Sequence, residues 1–209
     1  MERARAARVH GDPLGAFRVW QGPPPPALRA RLWAYLNAAI SEAPLQRFLE
    51  ASPLVLVRHL PGDHARWVIP GSRLVAWLAP DFLIGDQHAG RSRWTLVELE
   101  SPSVRLFTQS GDPTRSLNHA ITRIRGWRGW LREHARYARE RLNLANVDAN
   151  ADALILIGRR PRLRPDDVQR RRRLETEANV VIHTYDWLVD GAAETPFLLR
   201  ETRTQRRGR

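Results

Sequence analysis

Residues 80–100, PDFLIGDQHAGRSRWTLVELE, decide the fold. They contain two runs of strand length, 80–84 and 94–99, in which apolar residues dominate. The polar segment between them, Gly85–Arg93, predicts a turn. Two short strands joined by one turn are typical of a hairpin, so we expect these runs to be neighbours in a sheet.

The acidic residues of this stretch lie at the strand ends. Side chains two residues apart in a strand point to the same face, so Glu98 and Glu100 should project together and Leu99 should project away from them. In a hairpin, Asp81 at the start of the first strand comes near the end of the second. The pattern therefore predicts three carboxylates at one rim of the sheet.

Carboxylate oxygens are hard ligands that suit Mg²⁺ or Mn²⁺. Such an ion can lie between an attacking water and a phosphate. The alternative is that the acids are exposed at a strand exit, where acidic residues are common. Like charges two residues apart repel, and ion pairs with Arg105, Arg123 or Arg125 would also relieve that repulsion.

The rest of the chain predicts helices on both sides of a mixed sheet. This is a three-layer α/β domain, with the mixed β-sheet flanked by helices. Helices are expected from residue 28 and from an N-cap near Ser41. Strands are predicted over Leu54–Leu60, Arg66–Ile69 and Arg73–Leu78. After a loop over 101–114, the expected elements are a helix from about Thr114 to Asn143, a strand over Ala153–Ile157, a helix over Asp166–Glu177 and a strand over Val180–His183.

The composition excludes several kinds of chemistry. The 209 residues contain no Cys and no Lys, so all 34 basic residues are Arg. Disulfides, Cys-ligated zinc, thiol catalysis and any step that needs a lysine of this chain are excluded. No apolar run reaches the roughly 18 residues of a membrane span, so we expect no membrane partner. A cysteine-free chain with no visible signal peptide fits a cytoplasmic protein.

Charge and composition divide the chain into three parts. Residues 1–27 are rich in Pro and Arg and are expected to be flexible, 28–194 form the domain, and 195–209 form a basic tail. The formal net charge of +12 favours a polyanionic partner, because guanidinium groups bind phosphate well. The alternative is that the arginines reflect genome composition or line solvated helix faces.

A series of motifs, in order along the chain, resembles the catalytic domain of the Shedu antiphage family. The resemblance covers roughly residues 41–190, and it is the combination of the motifs that is specific. The motifs are Pro80-Asp81-Phe82-Leu83, Val97-Glu98-Leu99-Glu100-Ser101-Pro102, Leu106-Phe107-Thr108, Leu117-Asn118-His119-Ala120-Ile121, Trp127-Arg128, Leu156-Ile157-Gly158-Arg159 and Thr184-Tyr185-Asp186.

The resemblance implies a nuclease of the PD-(D/E)XK superfamily, with a restriction-endonuclease-like core. Such a protein would cleave DNA with Mg²⁺ or Mn²⁺ in defence against phage and would assemble as a homo-oligomer. Asp81 and Glu98 would be catalytic metal ligands, and Glu42 in the first helix would be a further ligand. Glu100 stands where the superfamily has a lysine, and it could act as a general base or as a third ligand.

Three further residues are candidates for contact with nucleic acid. Arg123 stands on the long helix where many relatives have Gln, and it could bind phosphate, supply the missing positive charge or neutralise the acids. Arg105 and His119 are the other two, and a capping or packing role is the alternative for His119. Two functions follow: a metal-dependent nuclease, or a catalytically inactive nuclease-like module that binds nucleic acid or a partner protein. The glutamate at position 100 favours the second.

Overall fold

The computed structural model describes residues 12–19, 26–38, 41–59, 66–71, 79–88 and 90–190. These residues form one six-stranded sheet, in which the strands lie side by side in the order of the sequence. The strands are β1 (Arg18–Val19), β2 (Arg66–Pro70), β3 (Phe82–His88), β4 (Arg91–Leu99), β5 (Asp152–Leu156) and β6 (Val181–His183). The α-helices are α1 (Pro26–Ala38), α2 (Ala43–Ala51), α3 (Leu54–Val57), α4 (Arg115–Arg141) and α5 (Asp167–Ala178).

The sheet is mixed, as predicted. Strands β1 to β4 pair with one another in antiparallel fashion, whereas β5 runs parallel to β4 and β6 runs parallel to β5. Parallel neighbours need crossover connections, and α4 and α5 provide them. The α/β class is confirmed, and the arrangement is consistent with a restriction-endonuclease-like core.

Two hydrophobic cores lie on opposite faces of the sheet. On one face α4 packs against alternate strand side chains such as Leu96 and Ile155. On the other face α1, α2 and α3 pack against side chains of the opposite alternation, such as Val97 and Leu99. The helices therefore form outer layers on both sides, and Glu98 lies on the α4 face because it shares the alternation of Leu96. The α4 side chains that face the sheet are buried, among them Ile121, Ile124, Trp127 and Leu131.

The β3–β4 hairpin is longer than the sequence predicted. Gly85 pairs with Trp94 and Asp86 pairs with Arg93, so the expected polar turn over Gly85–Arg93 is wrong for most of its length. The reason is an ion pair from the neighbouring strand. Arg66 Nε lies 3.1 Å from Asp86 Oδ1, and the Arg66 side chain is only 1% exposed. Because Arg66 pairs with its carboxylate, Asp86 can lie inside the sheet and the strand continues through it.

The run Leu54–Leu60 is also not a strand. Its first four residues form the short helix α3, and Val55, Leu56 and Val57 are buried in the core beneath it. A run of consecutive apolar residues has no periodicity that could separate a buried strand from a buried helical turn. Leu60 and the strand predicted over Arg73–Leu78 lie outside the described residues.

Part of the N-terminal segment 1–27 pairs with the sheet. Val19 in β1 pairs with Arg66, and Asp12 Oδ2 accepts a hydrogen bond of 2.9 Å from Trp67 Nε1. Residues 1–11 and the predicted basic tail 195–209 lie outside the described residues. Within the described part of the chain, no helix combines the length and the apolar character needed to cross a bilayer.

Candidate active site

Asp81 is held at the rim of the sheet by the backbone of the neighbouring strand. It lies directly before β3, and its Oδ2 accepts a hydrogen bond of 2.7 Å from the backbone N–H of Leu99 at the end of β4. It shares the alternation of Leu83, whose side chain belongs to the core under α4. The carboxylate is thus fixed on the α4 face, next to the end of β4 that the hairpin prediction expected it to approach.

Glu98 is bound by an arginine of the long helix. Arg123 Nε donates to Glu98 Oε2 at 2.7 Å, and Glu98 is only 2% exposed. The same guanidinium donates through Nη2 to the backbone oxygen of Ala79 at 2.6 Å and lies 3.9 Å from Asp81 Oδ1. Arg123 therefore joins the two strand ends that carry the acids. Of the arginines considered as partners for the acids, this is the one that the structure brings to Glu98.

Glu100 pairs with the histidine one helical turn earlier. His119 Nδ1 lies 2.8 Å from Glu100 Oε1, while the His119 side chain remains 62% exposed. Helix α4 is capped by Thr114, so a capping role for His119 is wrong, and its exposure excludes a packing role. Glu98 and Glu100 both contact α4, and this confirms the prediction that they share one face of the strand.

Glu42 reaches the cluster from the opposite helical layer. Helix α2 begins at Ala43, so Glu42 rather than Ser41 occupies the N-cap position, and its side chain makes no capping hydrogen bond. Burial, together with the Asp81 and Glu100 carboxylates, raises the pKa of Glu42 to about 7. Four carboxylates from three separate segments therefore influence one another at this rim.

The pKa values of the two strand acids show how crowded the site is. Burial and the neighbouring Asp81 carboxylate raise the pKa of Glu98 to about 8, although the Arg123 guanidinium acts in the opposite direction. Burial also raises the pKa of Asp81, against the effect of the Leu99 N–H and Arg123. Raised pKa values caused by burial and like charge are typical of functional sites, and an added cation would lower them.

The model for the family described as Shedu protein SduA, C-terminal, matches residues 39–189, which include all four carboxylates. The chain belongs to the Shedu family. Membership suggests a role in antiphage defence. A search of curated proteins found no match.

The Shedu site carries donors that are chemically suited to a divalent ion. Asp81, Glu98 and Glu42 would be the ligands, and all of their donor atoms are hard carboxylate oxygens. In the present arrangement Arg123 takes an oxygen of Glu98, and among the described residues no three Asp, Glu or His side chains are spaced to hold one ion. The donor set fits Mg²⁺ or Mn²⁺, but the guanidinium competes for it.

Arg105 is the remaining candidate of the sequence analysis, and one contact at the site was not predicted. Arg105 is exposed in the loop before α4, where its backbone oxygen accepts a hydrogen bond of 2.9 Å from the Thr114 hydroxyl. Tyr185 was quoted only as part of a motif, yet its buried hydroxyl donates to the Glu100 backbone oxygen at 2.9 Å. The only indication of this contact in the sequence is the tyrosine itself, because a tyrosine hydroxyl usually finds a hydrogen-bond partner when it is buried.

Proposed function

We propose that this Shedu protein is a Mg²⁺- or Mn²⁺-dependent nuclease that cleaves phosphodiester bonds of DNA as an effector of antiphage defence. The observation that carries the proposal is the convergence of Asp81, Glu98, Glu100 and Glu42 at one rim, in a chain with a net charge of +12. Carboxylates crowded together in a basic protein are costly without a cation that offsets their repulsion.

Each residue has a distinct part in the proposed reaction. A bound divalent ion would lower the pKa of an attacking water and offset the charge that builds on the phosphate. Asp81 is fixed by the Leu99 N–H and Glu98 by its burial, so both would present oxygens with little loss of side-chain freedom. Glu100 orients His119, whose exposed ring can donate to a phosphate oxygen or accept a proton.

The arginines of the rim would position DNA rather than cut it. Arg123 is 40% exposed, and Arg105 lies on the exposed loop between Glu100 and α4. Guanidinium groups that contact phosphates make affinity fall steeply as salt rises, so a salt titration of DNA binding would test this role. The proposal extends to a cytoplasmic homo-oligomer, and light scattering after size-exclusion chromatography would test the assembly.

A second function is favoured by the Arg123–Glu98 contact. An acid that is neutralised by a guanidinium 2.7 Å away is not available to a metal, and position 100 carries Glu in place of Lys. A protein with such a site would bind DNA or a partner protein without cutting.

Incubation of plasmid and linear DNA with Mg²⁺, Mn²⁺ or EDTA separates the two functions. The nuclease cuts with metal, stops with EDTA and loses activity in Asp81→Asn and Glu98→Gln. Glu140→Gln, which changes an exposed acid paired with Arg136 far along α4, is the matched control and should cut normally. DNA binding without cutting under every metal would overturn the nuclease and support the inactive module.

A further inference from the structure

Arg123 makes three contacts with the two strand ends that carry the acids. Its Nε donates to Glu98 Oε2 at 2.7 Å, its Nη2 donates to the Ala79 backbone oxygen at 2.6 Å, and Nη2 lies 3.9 Å from Asp81 Oδ1. A metal ligand set built from Asp81 and Glu98 would use the same two carboxylates. The guanidinium and a divalent ion therefore compete for one set of donors.

The surroundings of Arg123 make an exchange of cations feasible. Glu98 is almost fully buried, so its carboxylate is stable as an anion only while a cation pairs with it. Arg123 is 40% exposed, so its long side chain can move outward into water without burying a charge. His119, on the same helix, is already paired with Glu100.

We infer that Arg123 is a tethered cation that occupies the acidic site in the absence of metal and must leave Glu98 before a divalent ion can bind there. The inference rests on the proposed metal site, but it concerns the occupancy of that site and not the cutting of DNA. Because the tethered group holds the acids until the ion displaces it, the apparent metal affinity is lower than the affinity of the open site. Arg123 is on this account a positioning residue that sets the metal concentration at which the site fills.

The first test measures metal binding without DNA. Mn²⁺ bound to the full chain is measured by electron paramagnetic resonance for the wild type and for Arg123→Gln. The shorter, uncharged glutamine cannot replace the positive charge of Arg123 or its contacts with both Glu98 and Ala79. We expect Arg123→Gln to bind Mn²⁺ at least about tenfold more tightly. Arg125→Gln, an exposed arginine two residues along the same helix, controls for the loss of one positive charge and should change the affinity far less.

The second test follows Arg123 itself in the wild-type chain. The Nε–H that is hydrogen-bonded to Glu98 should exchange slowly and give a distinct ¹⁵N–¹H signal, which is assigned by its absence from Arg123→Lys. Addition of Mg²⁺ should weaken or shift that signal in proportion to metal binding. This test does not depend on the folding of Arg123→Gln.

The outcomes separate this inference from the proposed function. Equal Mn²⁺ affinity in the wild type and Arg123→Gln, no Mn²⁺ binding by either, or an Arg123 signal that saturating Mg²⁺ leaves unchanged would each overturn the inference. Tighter Mn²⁺ binding by Arg123→Gln in a protein that never cuts DNA would support the inference and overturn the nuclease. If the wild type cuts DNA but its metal affinity does not depend on Arg123, the nuclease is supported and the inference is overturned.

Discussion

Arg123 on α4 and Glu98 on β4 are joined by a hydrogen bond of 2.7 Å. One helical turn earlier, His119 makes the same kind of contact with Glu100. Residues one turn apart in a helix are separated by about 5.4 Å along its axis, and residues two apart in a strand by about 6.6 Å. Because these spacings are similar and α4 and β4 run in opposite directions, both pairs can form at once. The packing of α4 on the sheet therefore determines which helix side chain meets which acid.

The charge of Asp81 can be separated from its hydrogen bond to the sheet. Asp81→Asn keeps an oxygen that can accept the Leu99 N–H, and it removes the negative charge that a metal would bind. We expect a thermal unfolding midpoint close to that of the wild type, together with a loss of DNA cutting of at least about a hundredfold, because loss of even an outer-shell partner of a metal ligand typically costs about 10–100-fold. A variant that unfolds early would instead assign Asp81 a structural role.

Stability should depend on pH through the crowded acids. The pKa of Glu98 is raised from 4.5 to about 8 and that of Glu42 from 4.5 to about 7, so the folded protein holds protons that the unfolded chain releases. This contribution to stability is complete below about pH 4.5 and is lost as the pH rises through 7 to 8. In EDTA, the unfolding midpoint of the wild type should therefore fall between pH 6.5 and 8.5.

The buried histidines do not contribute to the change in stability between pH 6.5 and 8.5. Their effect on stability has the opposite dependence on pH. Burial lowers the pKa of His59 to about 4 and that of His183 to about 3, so their contribution is lost only as the pH falls below 6.5. Glu98→Gln should flatten the decline between pH 6.5 and 8.5, and Glu140→Gln should not. An equally steep decline in Glu98→Gln would mean that Glu98 titrates normally.

The sequence could predict the strand acids but not which of the candidate arginines would pair with Glu98. The alternation of β4 and the hairpin bring Asp81, Glu98 and Glu100 together, and both follow from local rules of strand geometry. The choice of Arg123 as the partner of Glu98 depends on the height at which α4 packs on the sheet, which no local pattern encodes. Glu42 lies in the opposite helical layer, and it was found only through the resemblance to the family.

Two errors in the predicted elements have the same physical origin. Gly85–Arg93 reads as a turn because its residues are polar, and the Arg66 side chain that permits Asp86 inside the sheet is 20 residues away. Leu54–Val57 reads as a strand because its residues are apolar, although only tertiary packing decides between a buried strand and a buried helical turn. In both cases long-range contacts override the local composition.

The buried Arg66–Asp86 pair should matter for stability and not for the site. Asp86 lies at the end of β3 remote from Asp81, and Asp86→Ala takes away a carboxylate partner of an arginine that is 1% exposed. Removal of one partner of a buried ion pair typically costs about 3–5 kcal/mol. We expect a loss of this size in urea unfolding, with Mn²⁺ affinity unchanged under folding conditions. A loss below about 1 kcal/mol would show that Arg66 does not need this partner.

Gly158 should control the position of the loop that follows Glu100. Its φ is +66°, and an added Cβ would lie 2.7 Å from the backbone oxygen of Val104, so the loop would have to move. The left-handed conformation alone costs about 1–2 kcal/mol for a residue other than glycine. Gly158→Ala should therefore lower both the unfolding midpoint and the Mn²⁺ affinity.

Gly129→Ala is the matched control for that substitution. Gly129 lies within α4, where an added Cβ meets no atom within 4 Å, so alanine should stabilise the helix by up to about 1 kcal/mol. Metal binding should not change in this variant. If Gly158→Ala bound Mn²⁺ as Gly129→Ala does, the loop would have no part in placing Glu100.

Anomalous scattering from a crystal of the full chain soaked in Mn²⁺ tests the central claim most directly, because it locates the ion and the side chains in one experiment. Our account predicts one strong peak coordinated by carboxylate oxygens of Asp81 and Glu98, with the Arg123 guanidinium withdrawn from Glu98. A map with no peak at this rim, and with Arg123 still bound to Glu98 at saturating Mn²⁺, would contradict it.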